Sequence, residues 1–261
     1  MKYTNKLHSK NILIIGGTSG IGFAVAEASL EHGANVIIAS SSPSKLQSSI
    51  SRLQSSYPEF SQNIRGTTIN LSAEDVEDQI IAAYEYATDN GTKKLDHVVN
   101  TAGDSFGLPK LSEVTPSGAA SAATVRYIGN LLLAKHVSKY INISPESSFT
   151  TTSGVNAAKP GDGWSPIIGV ATAVEGLTRG LAKDLKPVRA NCVSPGAIRT
   201  ELFESFGDAE AVEKLAEKYR NMTLTGRIGR PEDSAESYLY VMKCAFVTGT
   251  TIQVDGGYLL A

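Results

Sequence analysis

The chain has 261 residues, 41% of them hydrophobic, and a formal net charge of −2. This size fits one large core, and the near-neutral charge argues against nucleic acid as a partner. The sequence has neither a run of about 18 apolar residues nor a signal peptide, so we expect a soluble cytoplasmic protein without membrane contact. Two cysteines and four dispersed histidines predict no disulfide framework and no metal site.

Short apolar segments alternate with helical segments along the whole chain. Strands are predicted at 11–15, 35–39, 67–71, 95–99, 148–152, 189–193 and 250–254. Helices are predicted near 20–32, 43–56, 73–89, 117–141, 166–184, 208–220 and 231–243. Apolar, β-branched strands separated by helices are typical of a parallel sheet that is covered on both faces. We therefore predict one α/β domain over 1–261, a Rossmann fold with a doubly wound, parallel, seven-stranded sheet and helices on both faces.

The turn after the first strand carries the glycine-rich sequence IGGTSGIG. Gly16, Gly20 and Gly22 have a G-x-x-x-G-x-G spacing at the start of a helix. Glycine permits a tight turn and lets backbone N–H groups approach a pyrophosphate at the positive end of the helix dipole. This strand–turn–helix context predicts a dinucleotide site. The predicted contacts in the loop also include Thr18, Ser19 and Ile21.

The end of the second strand indicates which dinucleotide is bound. An NAD-specific site would place Asp or Glu here, on the ribose 2′-hydroxyl, but the sequence ASSSPSKL contains no acid. Ser40, Ser41, Ser42 and Lys45 are instead suited to surround a 2′-phosphate, which favours NADP(H) over NAD(H). A simpler role for these serines, compatible with the first, is to cap the next helix.

Further motifs follow the glycine loop in order: 100-NTAG-103, 194-SPGAIRT-200, 230-RPEDSAE-236 and 255-DGGY-258. With them the chain resembles the short-chain dehydrogenase/reductase family over nearly its whole length. The resemblance implies an oxidoreductase that binds a nicotinamide cofactor and forms homodimers or homotetramers. It also implies cofactor contacts by Asn70, Leu71, Asn100, Ala102, Gly103, Arg126, Pro195, Gly196, Ile198 and Thr200.

The catalytic residues of that family are largely replaced. Its reductases use a Tyr-x-x-x-Lys pair, a serine shortly before it and an asparagine on the preceding helix. Counting back from VEGLTRGLAKDL places Ile167 at the tyrosine and Ala171 at the lysine, with Arg126 at the asparagine. Ser153 falls within one residue of the serine. Reducing a ketone needs an acid to protonate the alkoxide, so we expect ordinary carbonyl reduction to be lost or very slow.

An iminium substrate is already cationic and needs no such acid. It is favoured by a negative charge, which Asp162 could supply from the loop before Ile167. Trp164 could stack on a flat aromatic substrate, and Ile167 would also face it. Each residue has a plainer alternative: Asp162 as a turn residue, Trp164 as a packing residue, Ser153 as a strand-end hydroxyl and Arg126 as a surface arginine.

Arginine at the asparagine position, the lost pair and the loop aspartate resemble one subgroup of the family. These are the NADPH-dependent reductase/Diels–Alderases of fungal prenylated indole alkaloid pathways of the malbrancheamide and paraherquamide type. The resemblance implies reduction of an alkaloid-type iminium and then a stereoselective intramolecular cycloaddition, with Asp162 as cation partner and Arg126 as anchor. The pocket is expected in loops near 104–118, 153–167 and 197–226. An imine reductase without cycloaddition and a non-catalytic NADP-binding protein remain alternatives.

Overall fold

The computed structural model describes residues 2–103 and 108–261, in which strands and helices alternate. The strands are β1 Asn11–Ile15, β2 Asn35–Ser40, β3 Ile64–Thr68, β4 His97–Asn100, β5 Ser148–Thr152, β6 Arg189–Pro195 and β7 Thr251–Val254. The α-helices are α1 Gly20–Glu31, α2 Pro43–Ser56, α3 Val76–Ala87, α4 Pro116–Ala123, α5 Gly129–Val137, α6 Ser165–Asp184, α7 Glu201–Glu204, α8 Ala209–Asn221 and α9 Pro231–Lys243.

The seven strands form one sheet in the order β3-β2-β1-β4-β5-β6-β7, and every neighbouring pair is parallel. The chain runs outward from β1 to β3 and then returns to the other side of β1 at β4. Parallel sheets of this kind bind ligands at the carboxyl ends of the strands beside that reversal. The predicted fold is therefore confirmed.

The side chains of each strand alternate between the two faces of the sheet. Both faces therefore carry apolar side chains, and helices cover both. Leu13 and Ile15 of β1 pack in a core with α3, α5 and α6. Ile12 and Ile14 pack in a second core with α1, α2 and α9. Burial of each such side chain stabilises the fold by about 1.5–3 kcal/mol.

The third strand lies earlier in the chain than predicted. It covers Ile64–Thr68 instead of 67–71, and it pairs only with β2, so it is an edge strand. Ile69 and Leu71, which carried the prediction, are 2% and 5% exposed because they pack in the α3 and α5 core. Their apolar character reflects burial by helices rather than strand pairing. The other strand ends differ from prediction by at most two residues.

The long helix predicted over 117–141 is divided. Between α4 and α5 the backbone forms a π-helical turn, Thr124–Ile128. Such turns shift the following residues around the helix axis and often occur at functional sites. Among the described residues, no helix has both the length and the apolar character to cross a membrane. The same residues contain no group of three His, Cys, Asp or Glu side chains placed to hold a metal ion.

Candidate functional site

The glycine loop packs closely against the segment that follows β4. Gly16 has a φ of +81°, and a Cβ atom there would lie 2.6 Å from Ala102 N. A Cβ atom on Gly22 would lie 2.3 Å from Gly16 O, so neither position has room for a side chain. The two segments meet at the carboxyl edge of the sheet. Their bare backbone lets the phosphates of a dinucleotide approach the N-terminus of α1, so this loop fits such a cofactor.

The N-terminus of α1 also meets a carboxylate from the segment after β6. Gly20 N donates a hydrogen bond to Glu201 Oε2 at 2.8 Å. Thr200, a predicted cofactor contact, caps α7, and its Cγ2 atom would lie 3.0 Å from a Cβ atom on Gly20. Glu201 thus places an anion against a backbone N–H where the helix dipole favours a phosphate.

Hydrogen bonds link the serines after β2 to the glycine loop. Thr18 Oγ1 donates to Ser40 Oγ at 3.2 Å, and Ser42 N donates to the same oxygen at 3.3 Å. Ser42 caps α2, because its hydroxyl accepts from Lys45 N. Lys45 itself is exposed. Ser42 therefore has the simpler of its two predicted roles, as the cap of α2, and its contact with a 2′-phosphate remains a prediction.

A pocket of about 430 Å³ adjoins these serines. Ser41 and Asn70, both predicted cofactor contacts, line it with Gln79. Asn70 N donates to Gln79 Oε1 at 2.8 Å, which fixes the segment after β3. Leu71 is buried against α5, and a Cβ atom added at Gly129 would lie 3.1 Å from its Cδ1 atom. The resemblance assigns the adenine to this region.

The other predicted cofactor contacts lie along the same edge of the sheet. Asn100 is buried, donates to Asn130 Oδ1 at 2.9 Å and accepts from Ala102 N at 3.0 Å. Its amide therefore holds the loop after β4 in place. The remaining contacts lie at or just beyond the carboxyl ends of β1 and β6: Ser19, Ile21, Pro195, Gly196 and Ile198.

A second pocket, of about 390 Å³, lies beside the carboxyl end of β5. Its wall brings together residues singled out from the sequence: Arg126, Ser153, Trp164, Ile167 and Ala171. Glu113 is the other ionisable side chain among its described lining residues, which include neither tyrosine nor lysine. The pocket wall therefore combines a largely apolar surface with a minority of polar side chains, of which Arg126 and Glu113 are ionisable.

Two of the three predicted pocket segments contribute to this wall. Pro109–Gly118 and Ser153–Ile167 supply described lining residues, whereas residues 104–107 lie outside the described part of the chain. None of the described lining residues comes from 197–226. That segment instead packs its own apolar cluster around Phe203 and meets the glycine loop through Glu201.

Arg126 lies in the π-helical turn, at the boundary between the cofactor loop and the pocket. A Cβ atom on Gly103 would lie 2.3 Å from Arg126 Nη2, so the guanidinium directly covers Gly103. Asn130 Nδ2 donates to Arg126 O at 2.6 Å, and Asn130 Oδ1 accepts from Asn100. These bonds tie the π-helical turn to the loop after β4 and thereby set the place of Arg126.

The hydroxyl of Ser153 is directed towards α6. Its Oγ atom lies 3.0 Å from Ala171 O and 3.1 Å from Glu175 Oε1. Gly154 lines the pocket beside it, and a Cβ atom there would meet only Pro195 O, at 3.9 Å. The pocket is therefore open at position 154, and the serine hydroxyl next to it bonds to the helix.

Asp162 lies on the turn that precedes α6. Its side chain is exposed and is not among the described lining residues of the pocket. The next residue, Gly163, has a φ of +78°, which fits a turn. Trp164, two positions after Asp162, does line the pocket. The role of Asp162 as a cation partner remains a prediction.

Among the described residues, three carboxylates near the site were not predicted from the sequence. Glu201 directly follows Thr200, which belongs to a predicted cofactor motif. Its position next to that motif is the sequence signal that could have identified it. Glu175 lies four residues after Ala171, a spacing that places both on one face of a helix. No sequence pattern marks Glu113.

The model of the SDR-like Rossmann domain matches residues 3–261 of this chain. The chain belongs to the short-chain dehydrogenase/reductase family. Short-chain dehydrogenase/reductase ucsE of an Acremonium species is 43% identical over 259 residues, which cover 98% of each chain. The solved structure of MalC reductase/Diels-Alderase from Malbranchea aurantiaca is 41% identical with a TM-score of 0.93, covering 99% of this chain and 100% of that one.

A solved small-chain dehydrogenase in complex with NADPH is 27% identical with a TM-score of 0.75, covering 97% of this chain and 100% of that one. The glycine loop has no room for a side chain at Gly16 or Gly22. Together with this likeness, the loop supports the binding of a nicotinamide cofactor by this oxidoreductase. In this reductase, Ile167 and Ala171 face the pocket beside Ser153.

Proposed function

We propose that this reductase uses NADPH to reduce an iminium intermediate and then promotes a stereoselective intramolecular Diels–Alder cycloaddition in prenylated indole alkaloid biosynthesis. The observation that carries the proposal is the wall of the 390 Å³ pocket. Ile167 and Ala171 line it, and tyrosine and lysine are absent from its described lining. The likeness to MalC, described as a reductase/Diels-Alderase, supports the same activity.

The lining determines which substrates can be reduced. A nicotinamide cofactor supplies a hydride when it is bound. A ketone that accepts hydride also needs a proton, and Ile167 and Ala171 cannot provide one. An iminium loses its charge on accepting hydride and needs no proton from the wall, and the resulting azadiene is the diene of the cycloaddition. The pocket therefore favours cationic nitrogen substrates over carbonyl compounds.

The cycloaddition requires orientation more than acid–base chemistry. A pocket of about 390 Å³ suits a compact polycyclic molecule, since small-molecule sites commonly span about 300–1,000 Å³. Ile168, Val170 and Val174 supply aliphatic surface, and Trp164 supplies a flat ring for an indole. Holding the diene against the alkene in one arrangement accelerates their reaction and selects one product.

The preference for NADP(H) rests on the segment after β2. The Thr18 hydroxyl and the Ser42 backbone N–H both donate to Ser40 Oγ there, so hydroxyl and N–H donors lie together, with exposed Lys45 beside them. A 2′-phosphate would be held by these donors, and no carboxylate in the segment Ser40–Leu46 repels it. Calorimetric titration of NADPH and NADH checks this choice, and Lys45→Glu should reverse the preference.

Two charged side chains complete the proposal. Asp162 pairs with the substrate cation, and Arg126 anchors a substrate amide oxygen beside Gly103. Arg126 already lines the pocket, and Asp162 is two residues from Trp164, which also does. Asp162→Asn should lower turnover, whereas Asp184→Asn at the end of α6 should not.

The same proposal includes a homodimer or homotetramer. Every residue of α4 from Pro116 to Ala120 is exposed, and Ile128 and Leu131 are 41% and 44% exposed. Only Val174, Thr178 and Leu181 of the 20 residues of α6 are buried. Pairing of these helices between subunits would cover this surface. Light scattering on the purified protein measures the number of subunits.

The deciding experiment supplies NADPH and a cyclic iminium that carries a prenylated indole, with products separated on a chiral column. Consumption of NADPH with one bridged enantiomer is the expected result. Reduction with a racemic adduct would identify an imine reductase without cycloaddition. Tight NADPH binding without consumption would identify a non-catalytic binding protein. Either of these two outcomes would refute the proposal.

A further inference from the structure

We propose that Ser153 presents a hydrogen-bond acceptor to the bound substrate, and that the pocket thereby selects molecules carrying an N–H at this point. In the family's reductases the resemblance gives the serine hydroxyl the opposite role, binding a substrate oxygen. The inference rests on the proposed function, because it takes the 390 Å³ pocket as the substrate site. It adds the hydrogen-bonding character of the substrate.

The polarity of Ser153 follows from its two partners. A hydroxyl has one proton to donate and two lone pairs to accept with. Among the described residues, the hydrogen-bond partners of Ser153 Oγ are Ala171 O at 3.0 Å and Glu175 Oε1 at 3.1 Å. A carbonyl oxygen and an ionised carboxylate accept only, and the carboxylate gives the stronger bond. The proton of Ser153 is therefore directed at α6.

The surrounding bonds hold Ser153 in that orientation. Ser153 N donates to Val193 O at 2.8 Å, which fixes the backbone beside β6. Two residues earlier, the hydroxyls of Thr151 and Thr178 are 2.7 Å apart and fully buried, which fastens β5 to α6. Turning the Ser153 proton into the pocket would leave both acceptors on α6 without it. That loss of hydrogen bonding opposes the reversal.

The lone pairs that remain on Ser153 Oγ are the ones a ligand can reach. A carbonyl oxygen brought to this point would meet another acceptor, whereas an N–H would complete a hydrogen bond. Arg126 on the same wall is a donor only. A substrate that places an N–H at Ser153 and an amide oxygen at Arg126 matches the hydrogen-bonding character of each residue. Cyclic amides with a neighbouring basic nitrogen have this arrangement.

Three probes with one fused indole skeleton, each methylated at the indole nitrogen so that no indole N–H remains, test the inference by calorimetry on the NADP+-loaded protein. The first is protonated 2,9-dimethyl-tetrahydro-β-carboline, which has one ammonium N–H. The second is its quaternary 2,2,9-trimethyl salt, which has the same charge and no N–H. The third is 9-methyl-tetrahydrocarbazol-1-one, whose ketone accepts only. Comparing the two cations isolates the N–H, because their charge and size are nearly equal.

We expect the wild type to bind the protonated amine about tenfold more tightly than the quaternary salt, as one hydrogen bond involving a charged group implies. In Ser153→Ala this ratio should fall to about one, and ketone binding should not change. Ser138→Ala, an exposed serine at the end of α5, is the matched control and should keep the tenfold ratio. Unaltered melting temperature and NADPH affinity show that each variant is folded.

The results that would contradict this inference differ from those that would contradict the proposed function. Loss of ketone binding in Ser153→Ala would show that the hydroxyl donates into the pocket, which overturns this inference and leaves the proposed reductase intact. Equal binding of the two cations by the wild type would also overturn it. Failure of all three probes to bind would reject the pocket as the substrate site and with it both proposals.

Discussion

Gly103 and Arg126 occupy one shared space between the cofactor loop and the substrate pocket. A Cβ atom at position 103 would lie 2.3 Å from Arg126 Nη2 and 2.4 Å from its Cζ atom. The absence of a side chain at Gly103 therefore makes room for the guanidinium. A substitution at Gly103 would therefore displace the guanidinium of Arg126, which lines the pocket.

Gly103→Ala should displace the guanidinium while leaving the fold intact, because the clash involves the far end of a flexible side chain. We expect turnover of the iminium to fall by about tenfold to a hundredfold, as small misplacements of a positioning group cause. Thermal unfolding and NADPH consumption measure the two effects. Gly180→Ala, where a Cβ atom would meet nothing within 4 Å, is the control. Equal activity in both variants would show that the position of Arg126 does not matter.

Glu201→Gln should strengthen NADPH binding. The Glu201 carboxylate accepts from Gly20 N at 2.8 Å, at the helix N-terminus that a pyrophosphate would use. An anion at such a site is stabilised by about 0.3–1 kcal/mol, so removing the competitor should lower the Kd by about two- to fivefold. Glu210→Gln on the exposed first turn of α8 is the matched control. A higher Kd in Glu201→Gln would mean instead that Glu201 positions the loop.

Ile167→Tyr combined with Ala171→Lys should introduce ketone reduction. Both positions line the pocket beside Ser153, so the new phenol and ammonium would face a bound carbonyl. General acid catalysis commonly contributes about a hundredfold to ten-thousandfold, and the double variant should gain on that scale. NADPH consumption with a small cyclic ketone is the measurement. Each single substitution serves as a control, since the tyrosine alone lacks the lysine that lowers its pKa. A double variant that stays inactive on ketones would show that the missing acid is not the sole obstacle to ketone reduction.

The fold and the cofactor loop could be predicted because their signals are local in the sequence. The glycine spacing at Gly16, Gly20 and Gly22 reflects backbone contacts within a single turn, where a Cβ atom has no room. Strand and helix alternation likewise follows from local burial. The third strand was misplaced because Ile69 and Leu71 are buried by α3 and α5, which burial patterns alone cannot separate from strand pairing.

The site chemistry was harder to predict because it depends on side-chain direction. The position of Ser153 in the chain indicates a residue beside the pocket, but its proton is directed at α6 by Ala171 O and Glu175. Asp162 has the right residue type in the right loop, and its side chain is exposed. Whether such a side chain points into the pocket or away from it is known only from the three-dimensional structure.

The stability of the protein should fall as the pH is lowered because His97 is buried without a charge. His97 is 1% exposed, its Nδ1 atom lies 2.9 Å from Ser148 Oγ, and burial lowers its pKa to about 3. In the unfolded chain a histidine has a pKa of about 6.5, so between these values the unfolded state binds one more proton. Stability from this group is therefore complete above about pH 6.5 and is lost as the pH falls towards 3, by up to about 1.4 kcal/mol per pH unit. Urea unfolding should show that the free energy of unfolding falls by about 2 kcal/mol between about pH 7 and pH 5 because of His97. His97→Gln should remove this part of the pH dependence. His8→Gln, at an exposed position, is the control and should retain it. Identical slopes in the wild type and His97→Gln would show that His97 is not the group responsible.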